Sequence, residues 1–131
     1  MPSLFSKIIT RELPAYIVAE DDKHIAFLDI NPNALGHTLC VPKKEVDKLF
    51  DLSISEYQEL MLFSRSVAVA LKKVISCKRM GLTVIGLEVP HVHVHLIPLN
   101  DMADATFKKK VAPSKEEMQS LTQQISTAFK Q

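Results

Sequence analysis

Apolar positions recur along this chain with two different periods. In "SLFSKIITR" (3–11), Leu4 and Ile8, and likewise Phe5 and Ile9, are spaced by four, which predicts a short amphipathic helix ended near Pro14. "YIVAE" and "HIAFLD" are β-rich runs on either side of "DDK", a turn-forming trio, and predict a hairpin. "INPNALG" reads as a loop, because Asn and Gly tolerate positive φ and Pro32 stops pairing. "HTLCVP" is a further short strand closed by Pro42, and "KKEVDKLFDL" has room for one helical turn.

The strongest helical signal follows. Ser53 and Glu56 form an S-x-x-E capping box ahead of Tyr57, Leu60, Met61, Val67, Leu71 and Val74. Their spacing by three and four makes one buried stripe and predicts a helix to about Ser76. "GLTVIGLEV" and "HVHVHLIP" predict two more strands, and Ser114 with Glu117 caps a last helix over "KEEMQSLTQQISTAF". The pattern is α+β: about five mainly antiparallel strands, one long helix, and short N- and C-terminal helices. The domain is expected over 1–105, with 106–131 as a C-terminal helical extension of it. The run "KKK" at 108–110 reads as a solvated loop without a function.

Composition narrows the partners. A chain of 131 residues with 47% hydrophobic residues fits one packed domain, and a formal net charge of +1 gives no case for broad binding to nucleic acid or membrane. Any anionic ligand must therefore be held locally. Cys40 and Cys77 form no CxxC pair and signal neither a disulfide framework nor a zinc knuckle. With no signal-peptide h-region and no spanning segment, a cytoplasmic protein with reduced thiols is expected.

The chemistry concentrates in "VPHVHVHLIPLN" (89–100). Side chains alternate across a strand, so His91, His93 and His95 share one face at spacings of about 7 Å, while Val92, Val94 and Leu96 point into the core. A one-residue slip would bury the imidazoles and expose the valines, so the register is defined. Clustered imidazoles repel when protonated and ask for a partner. A metal held by two histidines and a third ligand is one candidate; a phosphate attacked by a neutral ring is another. His37, at the head of a strand after Gly36, could reach the same face, whereas His24 reads as a surface residue.

"KII" (7–9), "LPAYIVAEDDKHIAFLDINP" (13–32), "GHTLCVPKK" (36–44) and the His91, His93, His95, Leu96, Ile97 pattern together resemble the histidine triad (HIT) family of nucleotidyl hydrolases and transferases, nearest its bacterial adenosine phosphoramidase-like branch. The resemblance covers roughly residues 3–100. It implies that His93 is the nucleophile on the α-phosphate, oriented by His91 through hydrogen bonding. It also implies that His95 and His37 contact phosphate oxygens or protonate the leaving group. Asp29 would accept from the ribose hydroxyls, and Phe5, Ile8 and Ile30 would wall the base.

The departures are specific. Ser3 and Ser6 stand where many bacterial relatives carry a cysteine pair for a structural zinc, and Glu45 stands where a histidine often follows "PKK"; no structural zinc and no cofactor are therefore expected. Leu87 and Glu88 replace a glutamine and a small hydroxyl residue that contact phosphate in relatives, which puts standard turnover in question. The reading is thus a hydrolase or transferase acting through a nucleotidyl-histidine. The alternatives are a catalytically weak nucleotide-binding module or a metalloprotein using the histidine strand. The expected partners are a purine nucleotide and a second copy of the chain, the latter through the long helix, with its extra apolar positions Phe63 and Val69, and a sheet edge.

Overall fold

The computed structural model describes residues 3–130. Helix α1 (Leu4–Ile9) leads into β1 (Ile17–Glu20), β2 (His24–Leu28) and β3 (Thr38–Pro42). A short 3-10 turn (Leu49–Asp51) precedes α2 (Ile54–Val74), and β4 (Arg79–Thr83), β5 (Val94–Leu99), a second 3-10 turn (Met102–Ala105) and α3 (Lys115–Lys130) complete the chain. The five strands form one antiparallel sheet in the order β1-β2-β3-β5-β4. The predicted caps form: Ser53 and Glu56 close a reciprocal capping box at α2, and Ser114 and Glu117 do the same before α3.

Strand alternation divides the interior into two layers. Ala26, Leu28, Cys40, Val94 and Leu96 face α2 and α3, where Leu60, Val67 and Leu71 meet Leu121 and Ile125. Ile25, Phe27, Leu39 and Val41 face the opposite way and are covered by Phe5 and Ile8 of α1. At about 25 cal/mol per Å² of apolar surface, α1 is held by this burial rather than by its own six-residue helicity.

Four local expectations fail for identifiable reasons. "GLTVIGLEV" is a strand only to Thr83; beyond it Gly86 takes φ 74 and the chain leaves the sheet as a loop to Pro90. "HVHVHLIP" pairs only from Val94: Pro42, at the end of β3, has no N–H to continue the ladder, and Val92 donates instead to Val46 O at 2.7 Å. His24 is not a surface residue. Its ring stacks on Phe63 at 5.0 Å and its Nδ1 lies 2.9 Å from Asp21 Oδ1, which also explains why Phe63 is buried and is no part of an exposed helix face. The lysine run is not merely solvated, because Lys109 reaches Asp104 and Lys110 reaches the 31–33 loop.

Candidate active site

The three triad histidines do share a face, but that face is covered: His91, His93 and His95 are 0%, 6% and 7% exposed. Phe5 packs edge-on to His91 and His93 at 6.0 and 4.9 Å between centroids, and His93 meets His95 at 4.9 Å. The contrast drawn from sequence between buried valines and exposed imidazoles is therefore corrected; a second layer, built on α1, buries both sets.

Hydrogen-bond partners assign a tautomer to each ring. His91 Nε2 faces the Pro42 carbonyl at 2.8 Å and must donate, which leaves its Nδ1 to accept from the Ser3 hydroxyl at 2.7 Å. His93 Nδ1 donates to the His91 main-chain carbonyl at 2.7 Å, so the free nitrogen of His93 is Nε2, with its lone pair available. His37 Nδ1 accepts the Asn33 amide hydrogen at 3.0 Å; its Nε2 then donates to His95 Nδ1 at 2.9 Å. That leaves His95 presenting an Nε2–H. A lone pair and a donor thus stand side by side on adjacent rings.

Burial favours the neutral form of His37, His91 and His95. It drives His37 down to about 3, with repulsion from His95 and Lys110 adding to the effect, and drives His95 down to about 4. His91 is lowered by burial too, partly offset by its bond to the Pro42 carbonyl. Asp29, half-buried, is raised by desolvation; its Oδ1 accepts from Asn31 N and its Oδ2 lies 3.6 Å from His37 Nε2.

His37 owes its place to the turn before it. Gly36 has φ 98, where any side chain is strained, and a Cβ there would also push against the Ile75 side chain just after α2, so glycine suits the turn. His37 is fully buried with both nitrogens engaged; it reaches the site through His95. Phe5 and Ile8 lie in the apolar layer beside the triad, while Ile30 is 81% exposed on the rim.

Ser3, Ser6, Glu45 and His91 converge as a hydrogen-bonded clasp. Glu45 Oε1 accepts from Ser3 N and Ser6 Oγ, both at 2.6 Å, while Ser3 Oγ accepts from Ser6 N at 3.0 Å. The bond from Ser6 Oγ, then that from Ser3 N, holds the exposed Glu45 carboxyl down at about 2. Structural zinc is bound by thiolates and imidazoles, whereas these donors are two hydroxyls, a carboxylate and a ring nitrogen already bonded to one another; the set does not fit zinc. Asp29, His37 and His95 also bring ligand atoms within 4.8 Å of one another. There His37 Nε2 carries a hydrogen and His95 Nδ1 receives it, so neither offers a lone pair to a cation.

Residues 104–111 border the site, and sequence reasoning assigned them no part in it. The Phe107 ring lies 5.0 Å from His95 and 5.9 Å from His37, and Lys110 Nζ sits 5.1 Å from the Phe107 centroid. A lone aromatic and a lysine triplet carry no periodicity that could have marked them. Asn33, buried in a loop, was equally silent.

An antiparallel sheet that presents alternate histidines leading into β5, backed by a fourth histidine at the head of the neighbouring β3, defines the histidine triad class. The chain belongs to this family: residues 10–102 match the HIT domain. It is 36% identical to an uncharacterized HIT-like protein of Borreliella burgdorferi, over 94% of this chain and 95% of that one. It is 35% identical to the purine nucleoside phosphoramidase of Escherichia coli K12, over 76% of this chain and 92% of the other. In structure it is similar to a Hit-like protein involved in cell-cycle regulation from Bartonella henselae, with TM-score 0.83 and 29% identity, covering 96% and 95% of the two chains.

Proposed function

We propose that the protein is a nucleotidyl hydrolase or transferase that works through His93. The observation that carries this reading is the tautomer pattern, a lone pair on His93 Nε2 beside an N–H on His95 Nε2. The His93 lone pair attacks the α-phosphorus of a nucleotide ester, anhydride or phosphoramidate, and the bond from phosphorus to the leaving group breaks. The leaving group takes the proton of His95 Nε2. Water then attacks the phosphorus of the nucleotidyl-histidine, returns a proton to His95 and releases the nucleoside monophosphate, restoring His93. Asp29 accepts from the ribose hydroxyls, with Phe5 and Ile8 walling the base and Ile30 closing on it from the rim. The phosphoramidase relative favours a purine base.

The test is to incubate the protein with an adenylated substrate, quench, and locate the adduct by mass spectrometry. An AMP adduct on His93 and loss of turnover in His93→Ala are expected. Unchanged turnover in that variant overturns the reading, and tight nucleotide binding without turnover by the wild type leaves only a binding module. The β4 edge of the sheet, with Leu82 52% exposed, and α2, with Val69 45% exposed, suit pairing with a second copy. No described helix is long and apolar enough to cross a membrane, and free Cys40 and Cys77 suit a reducing cytoplasm.

A further inference from the structure

The site must hold an anion although burial keeps His37 and His95 uncharged at pH 7. His37 and His95 titrate far below neutrality, Asp29 brings a carboxyl to within 3.6 Å of His37, and Glu88, on the exposed loop before the triad, opposes negative charge at Asp29. Leu87, where relatives contact phosphate with a neutral donor, is 90% exposed. The positive charge that faces Asp29, His37 and His95 comes instead from Lys110.

Lys110 is held in place from several sides. Its Nζ donates to Asn31 O at 3.0 Å and Asn33 Oδ1 at 2.8 Å, in the loop between Asp29 and His37. Its strap is tied to that loop at both ends, by Asn33 Nδ2 donating to Asp104 O and by Val111 N donating to Pro32 O, each at 3.0 Å. Between the ties Phe107 takes φ 62, a conformation uncommon outside glycine, and lays its ring against His95. One of the three Lys110 N–H donors has no hydrogen-bond acceptor among the described residues. The ammonium lies by the Phe107 ring that packs on His95, and so at the end of the row where, in the reading above, His95 protonates the leaving group.

We propose that Lys110 is a specificity-determining residue that makes the site favour substrates whose leaving group carries additional negative charge, such as the phosphates of a dinucleoside polyphosphate, over phosphoramidates with a neutral or cationic leaving amine. This rests on the nucleotidyl-transfer reading above and adds the charge class of the leaving group. A fixed ammonium at the edge of a partly desolvated site discriminates by about tenfold per added anionic charge.

The experiment titrates ADP and adenosine into wild type, K110Q and K110R, and compares kcat/KM for diadenosine triphosphate with that for adenosine phosphoramidate. In K110Q, ADP affinity falls about tenfold with adenosine affinity unchanged, and the diadenosine triphosphate preference falls by a similar factor; K110R retains both. Parallel loss of ADP and adenosine would show a strap tether alone and overturn the proposal, as would an unchanged ratio in K110Q. Failure of the wild type to bind either ligand or to form a His93 adduct sinks the nucleotidyl reading and this inference together, whereas intact binding with an unchanged ratio sinks only this one.

Discussion

The two ends of the histidine row are held by different means. At the His91 end, a main-chain carbonyl and the Ser3 hydroxyl grip both nitrogens of one imidazole, and Glu45 secures Ser3 from an exposed position. At the His95 end, a buried ring, His37, supplies the hydrogen bond, and among the described residues the nearest carboxylate is that of Asp29, 3.6 Å from His37. The first end is an anchored clasp built from hydroxyls and a carboxylate. The second is a relay of neutral rings whose direction depends on one backbone amide, that of Asn33. On the proposed mechanism, the end fixed by hydroxyl and carbonyl bonds is the one where no proton moves, and the tautomer-sensitive chain lies where one does.

The sharpest way to break this comparison is at His37. Replacing it with Asn (H37N) removes the donor that makes His95 Nδ1 an acceptor, so His95 Nε2 no longer has a defined hydrogen. A fall in kcat of about 10²-fold is expected, about 2.7 kcal/mol in the barrier, with KM much less affected. Steady-state kinetics on a nucleoside phosphoramidate would measure it. An equal effect on KM and none on kcat would mean that His37 only shapes the binding surface.

Acid should separate the two ends next. His37 and His95 have folded pKa values near 3 and 4, below the ordinary histidine value of 6.5, so the unfolded chain binds more protons than the folded one between those limits. Their neutral burial thus contributes stability that is fully present above 6.5 and lost as pH falls toward 4, at about 1.4 kcal/mol per pH unit for each fully titrating ring. The carboxyl of Glu45, held at about 2, stays ionised throughout that range. Denaturant unfolding between pH 7 and 4 should show proton uptake of nearly two for these rings, and H37N should lower it by about one. An unchanged slope in H37N would place the acid sensitivity elsewhere.

Why one end was legible in sequence and the other was not follows from how each is made. His91, His93 and His95 declare themselves by period two, and Val92, Val94 and Leu96 take the opposite layer as alternation requires. Ser53 and Ser114 were readable because a capping box is a local rule with fixed offsets. Resemblance singled out Ser3, Ser6 and Glu45 only as replaced ligands; their convergence on His91 depends on a contact between positions 88 apart in the chain. Phe107, Lys110 and Asn33 have no signature of any kind, since a strap crossing a loop is set by tertiary contacts alone. The strand ending at Thr83, and the pairing that starts only at Val94, were missed because apolar alternation continues through residues whose hydrogen bonds leave the ladder. The buried His24 was missed because its partner Phe63 lies on a helix 39 positions away.

At the anchored end, Ser3→Ala tests the clasp itself. It leaves His91 Nδ1 as a buried acceptor without its donor, which costs about 1–3 kcal/mol of stability, while His93 keeps its bond to the His91 carbonyl. A lower thermal midpoint with kcat reduced by less than in H37N is expected. A larger loss of kcat than H37N causes would reverse the assignment of the two ends.

The smallest effect belongs to Glu45, and it distinguishes charge from geometry. Glu45 Oε1 accepts two hydrogen bonds, from the α1 N-cap residue Ser3 and from Ser6 within α1, a task that the amide oxygen of a glutamine can also perform. The carboxylate is exposed, so its charge is screened by water and contributes little beyond those bonds. E45Q should therefore leave kcat within about twofold of wild type, whereas Glu45→Ala, which removes the acceptor, should move toward the Ser3→Ala phenotype. If E45Q proved as damaging as Ser3→Ala, the negative charge beside His91 would be what holds that ring, and the anchored end would depend on electrostatics after all.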